Sequence, residues 1–493
     1  MKLRRLLALL LALLTVALPL ASCGTPDETT EPQNSGDGET TKAWIKDDLD
    51  PDLNYGGEKV RILARGDDWY YDEISIEADE VLNIIDESVH EREAYVEERL
   101  GIDIVVDKRV IGSKHSTLAD LTRDYFRAGT DAVDLLASPS NQGFALTTEG
   151  VMWDMRTVDN IDLSQPWYAQ NFVDLATLND MTFFITGDAL LSLMRYSFAT
   201  FVNFTLAERY SLPDMYKLVD DGEWTHDFMA STVANVYEDL NGSGKKDDGD
   251  LFGFATSDLT GADVYLSSFD LRMLEKNDEG FLVNVVDNEK MQSAVTALCD
   301  LFHNNPGSNA LKFISGGHEY YTMNAAFGSD QYLFADMRLI SVESEEFINM
   351  ESDYGILPTP KWNSDQEEYK TYVYDVYTVL GIVGTVKEEE LPMIGAFVEA
   401  YSCYSYNATR EVYFETALKG RYVRDETSRR MLDQIIEAIY IDPACVYCQH
   451  LNLFCWNFRE LVKNNNPNWA SLYRAQGKIL NAKLEQLNGK FGG

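Results

Sequence analysis

Apolar positions between residues 58 and 137 alternate between the spacing of strands and that of helices. Residues 58–65 (EKVRILAR) and 102–110 (IDIVVDKRV) are rich in β-forming side chains, which predicts two strands. Residues 133–137 (VDLLA) are short and largely apolar, as a strand buried on both faces should be. Residues 73–100 and 116–129 instead repeat apolar side chains at helical intervals. The alternation predicts an α/β fold with a parallel sheet covered by helices.

The N-terminal residues show a different pattern, in which an apolar run ends at a cysteine. Three basic side chains within residues 1–5 precede residues 6–20, which are almost wholly apolar. This is the order of a secretion signal, and about 15 apolar residues are fewer than a membrane-spanning helix needs. Residues 20–23 (LASC) resemble the lipobox of bacterial lipoproteins, which implies lipidation of Cys23 and cleavage just before it. The alternative is an ordinary signal peptide followed by an accidental cysteine.

Residues 1–22 are therefore predicted to be a lipoprotein signal peptide, and residues 23–55 an acidic, disordered tether. The first part of the tether is rich in Thr, Glu, Asp, Pro, Gly and Ser, with too little apolar surface to offset the entropy of ordering it. No second apolar span follows, so the folded body is not expected to be an integral membrane protein. We expect it on the extracytoplasmic face of the cell membrane, anchored by its lipid.

Composition limits the size of the body and its partners. The chain has 493 residues, 45% of them hydrophobic, which suits two or three domains or one large two-lobed body. A formal net charge of −40 excludes nucleic acid or acidic lipid as a partner bound through a general field. With Cys23 lipidated, an odd number of cysteines remains, which argues against a disulfide framework.

Six segments add information through their order along the chain. They are residues 87–104, 126–135, 201–206 (FVNFTL), 222–227 (GEWTHD), 334–337 (FADM) followed by 354–360 (YGILPTP), and 424–432. In this order they resemble the bacterial extracellular solute-binding proteins of family 1, the lipid-anchored receptors of ABC importers.

The resemblance implies a two-lobed fold of the type II periplasmic-binding-protein class. Each lobe would be a mostly parallel sheet flanked by helices, with hinge strands joining the lobes near residues 200, 334 and 380. The first lobe would comprise residues 56–196 and 334–378, and the second lobe residues 197–333 and 379–493. The implied function is a monomeric receptor that closes on a small solute, an oligosaccharide, and delivers it to an ABC permease.

Candidate ligand-binding residues follow the predicted strands and hinges, because ligands of open α/β sheets lie beyond the carboxyl ends of strands. Aromatic rings stack on sugars, and Asp, Asn and Arg bond their hydroxyls. For any single aromatic residue, core packing is the alternative. The candidates are Asp68, Trp69, Tyr70, Ser140, Asn141, Arg195, Tyr196, Asp336, Trp362, Tyr374 and Asp375.

Residues 239–250 (DLNGSGKKDDGD) have the spacing of an EF-hand calcium loop, with oxygen ligands around a glycine at the sixth position. Asp250 is shorter than the usual bidentate Glu, and Ser243 is neutral, so the affinity should be low. The alternative is a polar loop without metal; with calcium, its role would be structural. The ligands would be Asp239, Asn241, Ser243, the carbonyl of Lys245, Asp247 and Asp250.

Four residues near the C-terminus have zinc-ligand chemistry: Cys445, Cys448, His450 and Cys455. If they lay on one helix, Cys448 and Cys455 would be about 10.5 Å apart along its axis. That distance is too long for a disulfide or a shared metal. Buried helix cysteines are therefore favoured over a disulfide or a zinc site.

Carboxylate pairs could suggest a glycosidase, for example Asp67 and Asp68 with Asp336. A chain with 81 Asp and Glu supplies such pairs by chance. We therefore expect no enzyme and no catalytic cofactor. The alternatives are a carbohydrate-active surface lipoprotein and an adhesion lipoprotein.

Overall fold

The computed structural model describes residues 43–67, 72–247, 249–257, 260–309, 319–414 and 426–493. Residues Ile45–Gly493 form one unit, and the fold below is that of this unit. Its strands are β1 (Glu58–Arg65), β2 (Ile102–Arg109), β3 (Leu135–Pro139), β4 (Phe198–Asn203), β5 (Tyr237–Glu238), β6 (Leu251–Thr256), β7 (Leu274–Lys276), β8 (Leu282–Asn284), β9 (Tyr332–Arg338), β10 (Tyr354–Leu357) and β11 (Thr378–Ile382).

The helices lie between and around these strands, and many are a single turn or two. They are α1 (Ile84–Leu100), α2 (Thr117–Ala128), α3 (Ser140–Gly143), α4 (Gln170–Ala176), α5 (Ser192–Arg195), α6 (Phe204–Arg209), α7 (Met215–Asp220), α8 (His226–Val233), α9 (Val264–Ser268), α10 (Asn288–Cys299), α11 (Glu319–Gly328), α12 (Glu345–Ile348), α13 (Leu391–Tyr404), α14 (Glu426–Glu437), α15 (Pro443–Val446), α16 (Asn457–Lys463) and α17 (Trp469–Lys490). No helix among the described residues is long and apolar enough to cross a bilayer. The lipidation site predicted at Cys23 lies outside the described residues.

The first sheet has the strand order β11-β3-β1-β2 and confirms the predicted parallel core. β1 pairs in parallel with β2 along its whole length, from Glu58 opposite Ile102 to Arg65 opposite Arg109. β3 runs parallel to β1 on its other side, and β11 is antiparallel to β3. The carboxyl ends of β1 and β3 and the amino end of β11 therefore lie at the same end of the sheet.

Helix α1 begins later than the apolar pattern predicts. The expected start is residue 73, but the helix begins at Ile84, because the side chain of Asn83 caps it by accepting from the backbone N–H groups of Ile85 and Asp86. It ends where expected, at Leu100. Gly101 follows with φ 60°, a left-handed conformation that glycine adopts at little cost.

The second sheet has the order β10-β4-β9-β6-β5 and is mixed, where a mostly parallel sheet was expected. β4 is antiparallel to both of its neighbours, β9 and β10. Only β6 and β9 run parallel. β9 and β10 therefore run in the same direction on either side of β4, which runs opposite to both, and this makes the sheet mixed.

Two strands belong to different sheets from those the sequence analysis assigns. Tyr354–Leu357 pairs with β4 in the second sheet, and Thr378–Ile382 pairs with β3 in the first. The predicted lobe boundaries, with residues 334–378 in the first lobe, place both strands the other way round. A β-rich composition predicts a strand but does not specify its partner. The division of the remaining residues between lobes stays a prediction.

Candidate ligand-binding site

The carboxyl end of β3 is fastened to the segment that leads into β11. We name residues 372–377 the bridge segment. The backbone N–H of Ser140 donates to the carbonyl of Tyr377 at 2.8 Å, and its hydroxyl donates to the carbonyl of Asp375 at 2.9 Å. The N–H of Asn141 also donates to the Asp375 carbonyl, at 3.3 Å. These bonds fix one end of the bridge segment to the first sheet.

The other end of the bridge segment contacts the second sheet. The N–H of Phe198, the first residue of β4, donates to the carbonyl of Tyr372 at 2.8 Å. The N–H of Tyr374 donates to the carbonyl of Tyr196 at 3.0 Å. The bridge segment is therefore hydrogen-bonded to elements of both sheets, and residues that project from it lie where the two sheets meet.

Two tyrosines and an arginine contact one another at this junction, with the two rings arranged edge to face. The ring centroids of Tyr196 and Tyr374 are 6.1 Å apart. The guanidinium of Arg338, at the end of β9, lies 5.4 Å from the first ring and 5.3 Å from the second. Each contact is within the range of a cation–π attraction. Tyr374 and Arg338 are half-buried, so both retain accessible surface.

Arg459 joins the bridge segment to two further helices. It lies on α16 and contacts the carboxylate of Asp263, and its Nη2 is 3.3 Å from the Asp375 carboxylate. Its guanidinium carbon lies 5.0 Å from the ring centroid of Trp456. Asp263 is 1% exposed, and burial raises its pKa to about 7 although the attraction of Arg459 lowers it.

Two buried polar atoms on either side of Asp375 have no hydrogen-bond partner in the part of the chain that the structure describes. They are Oδ1 of Asn141 and Nε of Arg459, in residues that are 5% and 9% exposed. A buried polar atom without a partner costs about 1–3 kcal/mol. Both atoms could therefore bond a hydroxyl or a water.

The end of β1 supplies a second basic group. Nη2 of Arg65 donates to the carbonyl of Val376 in the bridge segment at 3.3 Å. His115 follows β2, and burial together with the charge of Arg65 lowers its pKa, which opposes the effects of Asp375 and Asp67. The carboxyl ends of β1 and β3 and the segment after β2 therefore approach one place.

The structure brings together five of the predicted ligand-binding residues and places three elsewhere. Ser140, Asn141, Tyr196, Tyr374 and Asp375 lie at the junction of the two sheets. Asp68, Trp69 and Tyr70 lie outside the described residues. The other three, Arg195, Asp336 and Trp362, occupy different environments.

Arg195 is buried and makes a bidentate ion pair with Glu343 at 3.0 and 3.1 Å. Trp362 stacks on the ring of His226 with centroids 6.0 Å apart. Each side chain is thus held by a partner outside the bridge segment.

Asp336 lies within β9 and not beyond a strand end, as the sequence analysis expected. Its two oxygens accept hydroxyl hydrogen bonds from Thr200 at 2.6 Å and Tyr265 at 2.7 Å. It is completely buried, which raises its pKa to about 6. Its hydrogen bonds link β4, α9 and β9, which is a structural role.

Sequence reasoning missed six residues of the junction: Arg65, His115, Asp263, Arg338, Trp456 and Arg459. Only tertiary contacts bring Arg459 to Asp375, 84 positions earlier in the chain. One local signal was available. Trp456 and Arg459 are three residues apart, a spacing that places two side chains on one helical face.

The cysteine pattern is not on one helix, which corrects the geometry assumed from the sequence. Cys445 lies in α15, whereas Cys455 lies in a separate 3₁₀ turn, Phe454–Trp456. The five described cysteines are free thiols. Among the described residues, no three His, Cys, Asp or Glu side chains form a group that could hold a metal.

A groove of about 1140 Å³ is lined by residues outside the bridge segment, among them Tyr168, Arg272, Tyr369 and Tyr440. Several of its charged residues are paired with one another or with neighbours: Lys276 with Asp174 at 2.6 Å and Arg272 with Glu275 at 2.7 Å. We place the candidate ligand site at the bridge segment instead, because buried atoms without partners and accessible rings occur together there.

Two α/β sheets joined by strands and a bridge segment define the class of fold. The chain has the two-lobed fold of the periplasmic solute-binding proteins. It is similar to the GacH receptor of Streptomyces glaucescens, solved unliganded and with acarbose, at 13% identity and a TM-score of 0.56, over 86% of this chain and 99% of that one.

Two further structures show the same likeness. The ABC substrate-binding protein Lmo0181 from Listeria monocytogenes, in complex with cycloalternan, is 11% identical with a TM-score of 0.53, over 88% of this chain and 99% of that one. Maltose-bound MalE3 of T. maritima is 14% identical with a TM-score of 0.52, over 87% of this chain and 100% of that one. Comparison with models of protein families and with curated protein sequences found no match. At these identities the likeness establishes the fold.

Proposed function

We propose that this protein is an extracytoplasmic receptor that captures a small uncharged solute, an oligosaccharide, and delivers it to an ABC importer. The observation that carries the proposal is the bridge segment, which is bonded to both sheets beside the rings of Tyr196, Tyr374 and Trp456. The fold agrees, since the similar structures include receptors described with acarbose, cycloalternan and maltose.

The junction has the chemistry that sugars require. A sugar presents apolar faces that stack on aromatic rings and hydroxyl groups that both donate and accept hydrogen bonds. The half-buried ring of Tyr374 supplies a stacking surface. Asn141 Oδ1 can accept from a hydroxyl, and Arg459 Nε can donate to one.

Capture would work by closure about the bridge segment. A solute that contacts groups on both sheets binds the closed arrangement more tightly than the open one, so it shifts the population toward the closed state. The closed form would then present surfaces of both lobes to a membrane permease. Binding of this kind requires no covalent chemistry, which is why we favour a receptor over an enzyme.

The membrane attachment is part of the same proposal. A lipid on Cys23 would hold the body at the extracytoplasmic face, and the part of the predicted tether that precedes the folded unit at Ile45 would give it reach toward the permease. We expect the receptor to act as a monomer.

The test is calorimetric titration of the purified chain with maltose, maltotriose and cycloalternan, combined with small-angle scattering. We expect at least one oligosaccharide to bind and to reduce the radius of gyration. Arg338→Ala should weaken binding about tenfold, since it removes the cation that lies within cation–π distance of both tyrosine rings. Arg474→Ala, an exposed arginine on α17, is the matched control. If no sugar gives a heat of binding or reduces the radius of gyration, the proposed receptor function is contradicted. New reducing ends in the mixture would favour the alternative of a carbohydrate-active enzyme.

A further inference from the structure

A loop at the edge of the second sheet gathers oxygen atoms around one place. Strands β5 and β6 pair as an antiparallel hairpin, with Tyr237 opposite Phe252 and Glu238 opposite Leu251. Residues 239–250 connect them. The predicted calcium ligands therefore lie in a hairpin loop, between two strands and not between the two helices of an EF-hand.

Asp239 closes the first half of this loop. Its Oδ1 accepts from the N–H groups of Gly242 at 2.6 Å and Ser243 at 3.1 Å, and its Oδ2 accepts from Gly244 at 2.8 Å. Gly242 and Gly244 both have φ 71°, which an L-residue with a side chain rarely adopts. The two glycines let the chain wrap around the carboxylate, whose oxygens retain lone pairs for a further ligand.

The second half of the loop turns three more oxygens toward each other. The hydroxyl of Ser243 is 3.0 Å from the carbonyl oxygen of Lys245 and 2.8 Å from Oδ2 of Asp247. Asn241 donates from its amide to Oδ1 of Asp247 at 2.5 Å. The hydroxyl of Ser243 thus lies within hydrogen-bonding distance of a carbonyl oxygen and a carboxylate, and the same carboxylate contacts the amide of Asn241.

Asp250 supplies an independent observation that points to a ligand. Its side chain is 1% exposed, and Oδ2 accepts from the N–H of Asp247 at 3.1 Å and the hydroxyl of Tyr237 at 3.0 Å. Oδ1 is buried without a hydrogen-bond partner among the described residues. Burying an unpaired carboxylate oxygen is costly, and a cation against it would remove that cost.

We propose that residues 239–250 bind one calcium ion through Asp239, Asn241, Ser243, the carbonyl of Lys245, Asp247 and Asp250. An all-oxygen donor set favours Ca²⁺ over zinc, and a set made of protein oxygens favours it over Mg²⁺, which usually keeps several waters. The three carboxylates alone do not form a metal-holding group in the described chain. The neutral oxygens must complete the shell, so the dissociation constant should be on the order of 10⁻⁴ to 10⁻³ M.

The ion would stabilise the edge of the second sheet. Lys246 donates from Nζ to the carbonyl of Pro306 and lies 4.8 Å from the ring centroid of Tyr237. The adjoining Gly307 accepts from the N–H of Gly253 in β6 at 2.8 Å. An ordered loop would therefore hold residues 305–309 against β6, and this role is independent of which solute the receptor takes.

The experiment uses the full chain freed of metal with EDTA and titrates Ca²⁺ and Mg²⁺ by calorimetry. We expect Ca²⁺ to bind more tightly than Mg²⁺, and Asp247→Asn to weaken Ca²⁺ about tenfold. Asp247 is partly exposed, so this variant should fold even if Asp250→Asn does not. Asp278→Asn, an exposed aspartate outside the loop, is the matched control and should bind as the unaltered chain does.

Terbium provides a readout of position. Because the hydroxyl of Tyr237 bonds Asp250, its ring lies close enough to sensitise Tb³⁺ luminescence, and Ca²⁺ should quench that signal by competition. Tyr237→Phe should abolish the luminescence while calorimetric Ca²⁺ binding persists. No Ca²⁺ binding at about 10 mM, or equal binding by Asp247→Asn and the unaltered chain, would overturn the proposal.

Discussion

Replacing Arg459 with Met tests whether the buried ion pairs hold the bridge segment in place. Arg459 neutralises Asp263, which is 1% exposed, and Asp375, which is 8% exposed. Removing one partner of a buried ion pair leaves an uncompensated charge and costs about 3–5 kcal/mol. We therefore expect Arg459→Met to lower the free energy of unfolding by that amount at pH 8.

The loss should be smaller in acid, because Asp263 can then be neutral. Burial raises the pKa of Asp263 to about 7, above its ordinary 3.8, so folding favours the protonated form. Stability from such a group is complete below pH 3.8 and is lost as the pH rises through the folded pKa. Without Arg459 the pKa rises further, so the two chains diverge only above pH 7, and the destabilisation at pH 5 should be about 1 kcal/mol smaller than at pH 8.

Urea unfolding at pH 5 and pH 8 measures both effects. Asp263→Asn combined with Arg459→Met should recover part of the loss at pH 8, since it removes the carboxylate that lost its partner. Arg474→Met, on the exposed face of α17, should change little at either pH. Equal destabilisation by Arg459→Met at the two pH values would refute this account of the ion pair.

Three further changes test other parts of the molecule. Burial raises the pKa of Glu399 from 4.5 to about 7, so its stabilising protonation is lost between those values. Glu399→Gln should remove about 3 kcal/mol of the pH dependence of the unfolding free energy over this range. The comparison variant is Tyr168→Phe, which keeps the Glu399 carboxyl but removes the hydroxyl that donates to it. Tyr374→Ala should weaken sugar binding about tenfold in calorimetry, whereas Tyr374→Phe should keep the stacking surface; equal affinities would contradict the role of the ring. Gly307→Ala should lower the free energy of unfolding in urea by about 1–3 kcal/mol, because its Cβ would overlap the backbone carbonyl oxygen of Val233.

The strands and helix ends of the first sheet could be predicted because short stretches of sequence determine them. The β-forming run at 58–65 and the glycine at 101 specify a strand and a helix end without reference to the rest of the chain. Strand partners are not local. Tyr354–Leu357 and Thr378–Ile382 are both short and apolar, and only backbone pairing decides which sheet each joins.

The same distinction divides the candidate site. Ser140 and Asn141 follow a strand, and Tyr374 and Asp375 precede one, so their positions at a sheet edge follow from element order. Arg459 reaches the site from a late helix, and no spacing in the sequence indicates its contact with Asp375. For Asp336 the prediction from element order is wrong. Its carboxylate was expected beyond a strand end, but it lies within β9 and accepts hydrogen bonds from two hydroxyls.

The charges at the junction bear on the kind of solute expected there. In a chain with a net charge of −40, three arginines contact the bridge segment or its neighbours: Arg65, Arg338 and Arg459. Arg459 is paired with the carboxylates of Asp263 and Asp375, whereas Arg338 lies over two aromatic rings. The paired guanidinium disfavours an anionic solute, since an added phosphate or sulfate would have to compete with carboxylates already bonded to it. We therefore expect a neutral oligosaccharide to bind at least about tenfold more tightly than its sulfated derivative in matched titrations. A preference for the sulfated sugar would show that a guanidinium is released from its carboxylates on binding.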